Sequence, residues 1–238
     1  MNTALVFAGG TGRRMNSRAI PKQFIEIHGK PILIYTLEHF EYHEEIENMV
    51  VVCLKDWIER FKGHLHRFGI TKVTDIVPGG ETGHDSIYNG LLAMKGKARP
   101  DDIVLIHDGV RPLITDELIS ENIRTVKKYG NAITVEPSRE SVLISNDSDF
   151  ISRVPKLSQM FVAKAPQSFY YSDIMDVYDR ARSEGFKSID SAHLMNTYGK
   201  DLYMVKSSRN NIKITEPADY YLFRELCKAS ESQQVFGI

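Results

Sequence analysis

The chain is predicted to fold as α/β, with a doubly wound, mostly parallel sheet of Rossmann-like form. Apolar runs of strand length, such as residues 49–54, alternate with segments whose apolar residues recur at helical spacing. Continuous apolar runs are typical of strands covered on both faces, as in a parallel sheet. Polar turns follow several of these runs, and in such sheets the ligand site lies beyond the carboxyl ends of the strands.

The elements can be assigned in chain order. Strands are predicted at 4–8, 49–54, 72–77, 102–107 and 131–135. Apolar spacing marks the helices between them, within 31–43, 57–68, 87–94 and 115–129. Further helices are expected at 172–183 and 190–198, and strands at 202–205 and 211–214. Thr215 then caps a last helix, with Pro217 in its first turn.

A β-hairpin interrupts this series. Two apolar segments, 142–144 and 150–151, flank a polar turn at 145–149. The hairpin is expected to project from the sheet as an arm spanning about 138–158. Because a partner usually covers an arm that exposes apolar side chains, a homodimer is expected. No linker rich in Pro, Gly or Ser divides the chain, so residues 1–238 are predicted to form one domain.

Composition excludes several classes of function. Thirty basic and 31 acidic residues give the 238-residue chain a formal charge of −1. Sequence-independent nucleic-acid binding needs a basic field, so no nucleic-acid partner is expected. The apolar runs are too short to span a bilayer and no secretory leader is recognisable, which predicts a cytoplasmic protein without a membrane partner. Cys53 and Cys227 are expected to be core residues rather than a disulfide or a zinc site.

The first predicted strand runs into a cation-rich glycine loop. The strand end and loop comprise Phe7, Ala8, Gly9, Gly10, Thr11 and Gly12, and the cations that follow are Arg13, Arg14 and Lys22. Glycines let a ligand approach backbone N–H groups, and cations neutralise phosphate charge, so the loop is a candidate polyphosphate site. It lacks the P-loop pattern and the third glycine of the dinucleotide fingerprint, and an ordinary βα turn remains an alternative.

Three further loops follow predicted strands and carry polar residues. They contain Gly79, Gly80, Gly83, His84 and Ser86; then Asp108, Gly109 and Arg111; and finally Lys213. Each also has an ordinary structural explanation. The first can be a turn capped by Asp85 or Ser86, the second an ion pair of Asp108 with Arg111, and the third a solvated lysine. A fourth candidate, Asp190, can equally cap the helix that follows it.

The glycine loop resembles the signature of a known family. Ala-Gly-Gly-Thr-Gly-Arg-Arg-Met at 8–15, followed by Pro-Lys-Gln-Phe at 21–24, is similar to the motif of the cytidylyltransferases that make CDP-linked polyols. These use methylerythritol phosphate or ribitol 5-phosphate as acceptor. His-Asp-Gly-Val-Arg-Pro at 107–112 and Asn-Ile-Lys-Ile-Thr at 211–215 resemble further family motifs. The resemblance extends to about residue 225 and implies a fold of the nucleotidyltransferase type.

The resemblance implies roles for the candidate residues. Arg14 and Lys22 would stabilise charge on the α-phosphate of CTP, and Lys213 would position the attacking phosphate. The loop that includes Ser86 would lie against the cytosine, with His84 beside Gly83, where the family usually has an arginine. Asp108 would meet a ribose hydroxyl or Mg²⁺ bound to the triphosphate. Arg111 and Asp190 would contact the polyol substrate.

Two departures favour ribitol 5-phosphate as the acceptor. Leu157 stands where the family presents an arginine to the phosphate of the polyol across the dimer interface, and Lys156 or Arg153 can replace it. The five residues at 16–20 match the ribitol-type spacing. The expected product is a CDP-polyol for a surface polymer, such as teichoic acid or capsule, with methylerythritol phosphate as the alternative acceptor.

Two other classes are weaker candidates. A nicotinamide-dependent dehydrogenase would need a fuller glycine fingerprint and an acidic residue about 20 positions later, whereas Glu41 and Glu44 lie in a predicted helix. A nucleotide sensor without chemistry would not need the cations Arg14, Lys22 and Lys213.

Overall fold

The computed structural model describes residues 1–10, 20–146 and 149–236. In chain order the strands are β1 (Asn2–Ala8), β2 (Glu26–Ile27), β3 (Lys30–Pro31), β4 (Asn48–Cys53), β5 (Val73–Pro78), β6 (Ile103–Asp108), β7 (Asn131–Pro137), β8 (Ile144–Ser145), β9 (Ile151–Arg153), β10 (Phe161–Tyr170) and β11 (Met204–Lys206). The α-helices are α1 (Ile32–Tyr42), α2 (Ile58–Arg67), α3 (Gly83–Ala93), α4 (Asp116–Tyr129), α5 (Tyr171–Ser183), α6 (Ser191–Thr197) and α7 (Pro217–Phe236). None of these helices combines the length and apolarity needed to cross a bilayer.

A seven-stranded sheet forms the centre of the fold. Its strand order is β11-β7-β10-β6-β1-β4-β5. β1 pairs in parallel with β4 and β6, β4 with β5, and β7 with β11. β10 is antiparallel to both of its neighbours. The predicted doubly wound, mostly parallel α/β sheet is confirmed.

Helices cover both faces of the sheet because side chains alternate along each buried strand. Ala4 and Val6 of β1 pack in the layer beneath α1, α2 and α4, whereas Leu5 packs in the opposite layer with α3, α5 and α6. A third, smaller cluster joins Ile32 and Phe223, and it docks α7 near the start of α1. The strand ends are therefore held from both sides.

Two elements differ from the sequence prediction. Residues 211–214, predicted as a strand, have no regular secondary structure. Asn211 and Ile214 instead anchor this segment, since the Asn211 Nδ2 donates to Ala165 O at 2.8 Å and Ile214 N donates to Val110 O at 2.8 Å. β10 was not predicted, although it lies in the middle of the sheet.

The predicted hairpin is present. β8 and β9 pair antiparallel, and the central sheet does not include them. Apolar side chains on and around the hairpin are largely exposed: Leu143 55%, Phe150 66%, Ile151 52% and Val154 60%. In the described part of the chain these four side chains are each more than half exposed. Of the two cysteines predicted to be core residues, Cys53 is buried, and burial raises its pKa to about 12. Cys227 is only half-buried.

Candidate active site

Two adjoining cavities open at the carboxyl ends of β1 and β6. The first has a volume of about 530 Å³ and is lined by the glycine loop, the 79–86 loop and the cationic residues Lys22 and Lys213. The second, of about 260 Å³, is lined mainly by β10 and by residues 189–191. The residues common to both cavities are Phe7, Gly83, Asp108 and Lys213. Two ligands bound in these cavities would meet at Asp108 and Lys213.

Glycines allow the first two loops to pack backbone against backbone. A Cβ on Gly9 would lie 3.0 Å from Gly79 Cα and 3.2 Å from Ser86 Oγ, so a side chain here would push the loops apart. Gly10 has no such neighbour within 4 Å among the described residues, and it lines the first cavity. Its backbone can therefore be approached by a ligand.

The 79–86 loop is fixed by a capping box at the start of α3. The Thr82 hydroxyl accepts from Asp85 N at 3.1 Å, and Thr82 N donates to the Asp85 carboxylate at 3.1 Å. Ser86 Oγ accepts from Gly80 N at 3.1 Å and donates to Thr82 O at 2.9 Å. The N-terminus of α3 thus faces the first cavity in a fixed orientation, which suits an anionic or hydrogen-bond-accepting ligand.

His84 does not join this cavity. Its ring lies 4.7 Å from the Tyr178 ring, on the other side of α3, and its Nδ1 accepts from Ser188 N at 3.5 Å. Burial lowers the pKa of His84, which keeps the ring neutral. The structure therefore does not place His84 where it would replace the arginine that the family usually has at the position of Gly83.

Gln23 is a site residue that sequence reasoning did not single out. Its buried side-chain amide donates to Ala8 O at 2.6 Å and to Gly10 O at 3.2 Å, which ties the glycine loop to the short 3₁₀ helix Lys22–Phe24. The neighbouring Phe24 stacks on Trp57 at 4.7 Å. These contacts hold Lys22 at the rim of the first cavity, and the Pro-Lys-Gln-Phe motif was the available signal.

A buried charge cluster separates the two cavities. Asp108 Oδ2 accepts from Arg111 Nε at 3.1 Å, and Asp108 Oδ1 lies 2.5 Å from Lys213 Nζ. Arg111 NH1 also donates to Asn211 O at 2.6 Å. Burial favours the neutral form of Asp108, but the charges of Arg111 and Lys213 outweigh burial and hold the pKa of Asp108 well below its usual range. Asp108 is therefore an anion, and the predicted ion pair with Arg111 is present.

His107 contacts this cluster through Arg111. Its Nε2 lies 3.1 Å from Arg111 O, and its Nδ1 has no partner among the described residues. Complete burial lowers the pKa of His107 to about 3. The imidazole is neutral with its proton on Nε2, because among the described residues Nε2 is the ring nitrogen that faces an acceptor. Next to it, a Cβ on Gly109 would lie 2.8 Å from Ala8 Cβ, so Gly109 packs under β1 rather than lining a cavity.

The second cavity is polar along one wall. Gln167 Oε1 accepts from Ala192 N at 2.8 Å, and the Asp190 carboxylate accepts from His193 N at 2.8 Å, capping α6 as the sequence allowed. Lys164 lines the same wall and forms an ion pair with Glu136. Asp190 and Arg111 both line this cavity, and their role in substrate binding stays a prediction.

The remaining predicted site residues are either outside the described part of the chain or exposed. Thr11, Gly12 and Arg14 lie outside the described residues. Arg153 and Lys156 are exposed on or next to the hairpin and line neither cavity in the single chain.

A divalent cation fits the site only with help from a phosphate ligand. Among residues 1–10, 20–146 and 149–236, no group of three or more His, Cys, Asp or Glu side chains converges as a metal site. Asp108 faces the first cavity, but both of its carboxylate oxygens are paired with cations. Mg²⁺ is commonly held by one or two carboxylates and by substrate phosphates. The residues fit that mode if Lys213 moves away from Asp108, so that one carboxylate oxygen can bind the cation.

The doubly wound sheet, the glycine loop at its strand ends and the cationic double cavity define an enzyme of the nucleotidyltransferase class. The sequence profile described as IspD, 2-C-methyl-D-erythritol 4-phosphate cytidylyltransferase, matches residues 2–226. The chain belongs to this family, and it is a CTP-dependent cytidylyltransferase. The family resemblance predicted from the glycine loop is thereby confirmed.

Individual relatives carry two acceptor names. A ribitol-5-phosphate cytidylyltransferase of Streptococcus agalactiae serotype III (strain NEM316) is 48% identical over 239 residues, covering 100% of both chains. A 2-C-methyl-D-erythritol 4-phosphate cytidylyltransferase of Clostridium botulinum (strain Langeland) is 38% identical over 225 residues, covering 94% of this chain and 96% of its own. The crystal structure of 4-diphosphocytidyl-2C-methyl-D-erythritol synthase from Anaerococcus prevotii matches with a TM-score of 0.84 and 27% identity, over 95% of this chain and 96% of that one.

Proposed function

We propose that the protein transfers CMP from CTP to ribitol 5-phosphate, forming CDP-ribitol and pyrophosphate. The observation that carries this proposal is the pair of adjoining cavities that share Asp108 and Lys213, since one suits a nucleotide and the other a small polyol phosphate. The choice of ribitol 5-phosphate is supported by the 48% identity, over full length, to an enzyme with that name. Methylerythritol 4-phosphate is the second candidate, supported by the family profile and by the relative at 38% identity.

In this proposal CTP occupies the first cavity. Backbone groups of Gly9, Gly10 and Gly80 approach the nucleotide, and Ser86 holds the loop that lies against the base. Lys22 contributes positive charge to the triphosphate from the rim of this cavity. Arg14 is assigned the same role from the family motif alone.

The acceptor occupies the second cavity with its phosphate toward Lys213. An oxygen of the acceptor phosphate attacks the α-phosphorus of CTP in line; the new O–P bond forms as the bond to the bridging oxygen breaks, and pyrophosphate leaves. A phosphate dianion is a nucleophile at neutral pH, so no general base is needed. Asp190 and Gln167 line the part of the cavity where polyol hydroxyls would bind. Mg²⁺, bound to the triphosphate beside Asp108, would neutralise charge on the leaving pyrophosphate.

Two further elements of the proposal concern assembly and location. The exposed apolar hairpin would be covered in a homodimer, which is supported by Phe150 and Ile151 being more than half exposed in the single chain. A cytoplasmic location is supported by the reaction itself, because CTP is a cytoplasmic metabolite. The product CDP-ribitol would then donate ribitol phosphate to a wall or capsule polymer.

The deciding experiment measures pyrophosphate release from CTP and Mg²⁺ with ribitol 5-phosphate and methylerythritol 4-phosphate in parallel. The expected result is a higher kcat/KM for ribitol 5-phosphate. A preference for methylerythritol 4-phosphate would assign the second candidate, and absence of turnover with both would reject these acceptors. Lys22→Met should lower kcat by about 100-fold. The matched control is Lys62→Met, which alters an exposed lysine of α2 that lines neither cavity.

A further inference from the structure

A phosphate dianion next to Lys213 carries two negative charges, and Lys213 is already paired with Asp108. Leu157 occupies the position at which an arginine was expected, and a leucine side chain cannot bind an anion. Arg153 and Lys156, the two candidates next to it, are exposed and line neither cavity in the single chain. A cation on the wall of the second cavity would supply the phosphate contact within one chain.

Lys164 is such a cation. It lies on β10, between Ala163 and Ala165, and all three residues line the second cavity. The lysine and its partner Glu136 on β7 are each 17% exposed, and Lys164 Nζ lies 2.9 Å from Glu136 Oε2. A largely desolvated lysine whose ammonium group is held from one side is well placed to bind a second anion, because an ammonium has three donors and one carboxylate does not saturate them.

Like Lys164, the other charged groups of the second cavity have partners in the fold. Asp108 is paired with Arg111 and Lys213, and the Asp190 carboxylate caps α6. Arg111 is further fixed by its bond to Asn211 O. Lys164 and Lys213 are the two lysines among the described residues that line this cavity. A phosphate dianion bound there would find one ammonium on β10 and another on the 211–215 loop.

We propose that Lys164 binds the phosphate of the acceptor together with Lys213, and that Glu136 positions the Lys164 ammonium for this contact. The inference rests on the proposed function, since it assigns a residue to the acceptor of that reaction. With Lys164 in this role, binding of the acceptor phosphate does not require an arginine at position 157, where this chain has leucine.

The test compares Lys164→Met with Lys156→Met and Arg153→Met in the CTP and ribitol 5-phosphate assay. Lys164→Met should raise the KM for the acceptor at least tenfold, as expected for loss of a charge-assisted hydrogen bond, and should leave the KM for CTP within about threefold. The Ki of inorganic phosphate, as a competitor of the acceptor, should rise by a similar factor. Lys164→Arg retains the charge and the donor groups for a charge-assisted bond to phosphate, and should keep the acceptor KM within about threefold of the native value.

Glu136→Gln distinguishes binding from a merely structural role. If Lys164 served only to satisfy Glu136, the Glu136→Gln and Lys164→Met proteins would share one phenotype, a lower melting temperature with an unchanged acceptor KM. That outcome would overturn the inference. So would an increase in acceptor KM in Lys164→Met without an increase in the phosphate Ki, because Lys164 would then contact the polyol hydroxyls. An effect confined to Lys156→Met or Arg153→Met would return the phosphate contact to the arm.

Failure of this inference differs from failure of the proposed function. If native protein does not turn over either polyol phosphate, the proposed function fails first. If native protein turns over ribitol 5-phosphate and Lys164→Met does so with an unchanged acceptor KM, only the inference about Lys164 fails. Measuring the melting temperature of each variant ensures that changes in KM are read on folded protein.

Discussion

Replacing Asp108 by asparagine should destabilise the protein strongly, because it leaves a buried cation without its counterion. Arg111 is 5% exposed, its Nε donates to Asp108 Oδ2 at 3.1 Å, and its NH2 lies 3.1 Å from the same oxygen. Breaking a buried ion pair by removing one partner costs about 3–5 kcal/mol. Arg111 keeps its bond to Asn211 O, and Lys213, whose side chain is 39% exposed, can turn toward water. The expected cost is therefore at the lower limit, about 3 kcal/mol.

For a protein of this length, about 3 kcal/mol corresponds to a decrease in melting temperature of roughly 6–12 °C. Thermal unfolding followed by circular dichroism at pH 7 measures the decrease directly. The matched control is Asp101→Asn, which alters a carboxylate that is 80% exposed and 4.0 Å from Arg99. A surface pair of this kind contributes little, so the control should melt within about 2 °C of the native protein.

A double-mutant cycle tests the cause of the effect. If the cost arises from the isolated charge of Arg111, Asp108→Asn combined with Arg111→Gln should lose about 1–3 kcal/mol less than the sum of the single variants. The reasoning would be refuted by an Asp108→Asn protein that melts as the Asp101→Asn control does, or by additive losses in the cycle.

Three other predictions concern pH, the glycine loop and the arm. Burial lowers the pKa of His107 to about 3, below its value of 6.5 in the unfolded chain. The free energy of unfolding is therefore unaffected by His107 above pH 6.5 and falls as the pH drops toward 3, by about 2 kcal/mol at pH 5. His107→Gln should flatten this pH dependence in urea unfolding. Gly80→Ala would place its new Cβ against the Cβ of Asp85 and should raise the Kd for CTP, measured by calorimetry, about tenfold. The control Gly63→Ala, within α2, should leave this Kd unchanged and stabilise the helix by up to about 1 kcal/mol. Phe150→Asp should convert a dimer into monomers in light scattering, and a monomeric native protein would contradict this.

Much of the fold was predictable because its strands are nearly continuous apolar runs. The run at 49–54 corresponds to β4 within one residue at each end. The glycine loop at the end of β1 and the Asp108 loop were also predictable, since both follow such strands and the carboxyl ends of parallel strands meet at one edge. Their hydrogen-bond partners were not predictable, because Gln23 and Asn211 reach across 13 or more residues to backbone atoms of other elements.

The 211–215 segment shows why alternation misled the strand prediction. Ile212 and Ile214 flank Lys213 as they would in a strand, but the segment has no ladder partner in the described part of the chain. Side-chain hydrogen bonds hold it instead, from Asn211 to Ala165 O and from Arg111 to Asn211 O. Period-2 patterning predicts which side chains share a face, and it does not report whether the backbone finds a neighbour.

β10 escaped prediction for the opposite reason, and its position explains its sequence. Pro166 lacks an N–H group, and Gln167 and Ser168 are polar, so the segment does not read as a central strand. The ladder with β7 is irregular between Ala163 and Gln167, where the proline falls, and it resumes on the far side. That irregular stretch is the wall of the second cavity, from which Lys164 and Gln167 face the proposed acceptor. Pro166, Gln167 and Ser168 thus weaken the strand signal, and they lie where the sheet has a polar surface. A prediction based on apolar pattern alone cannot find a strand with these residues.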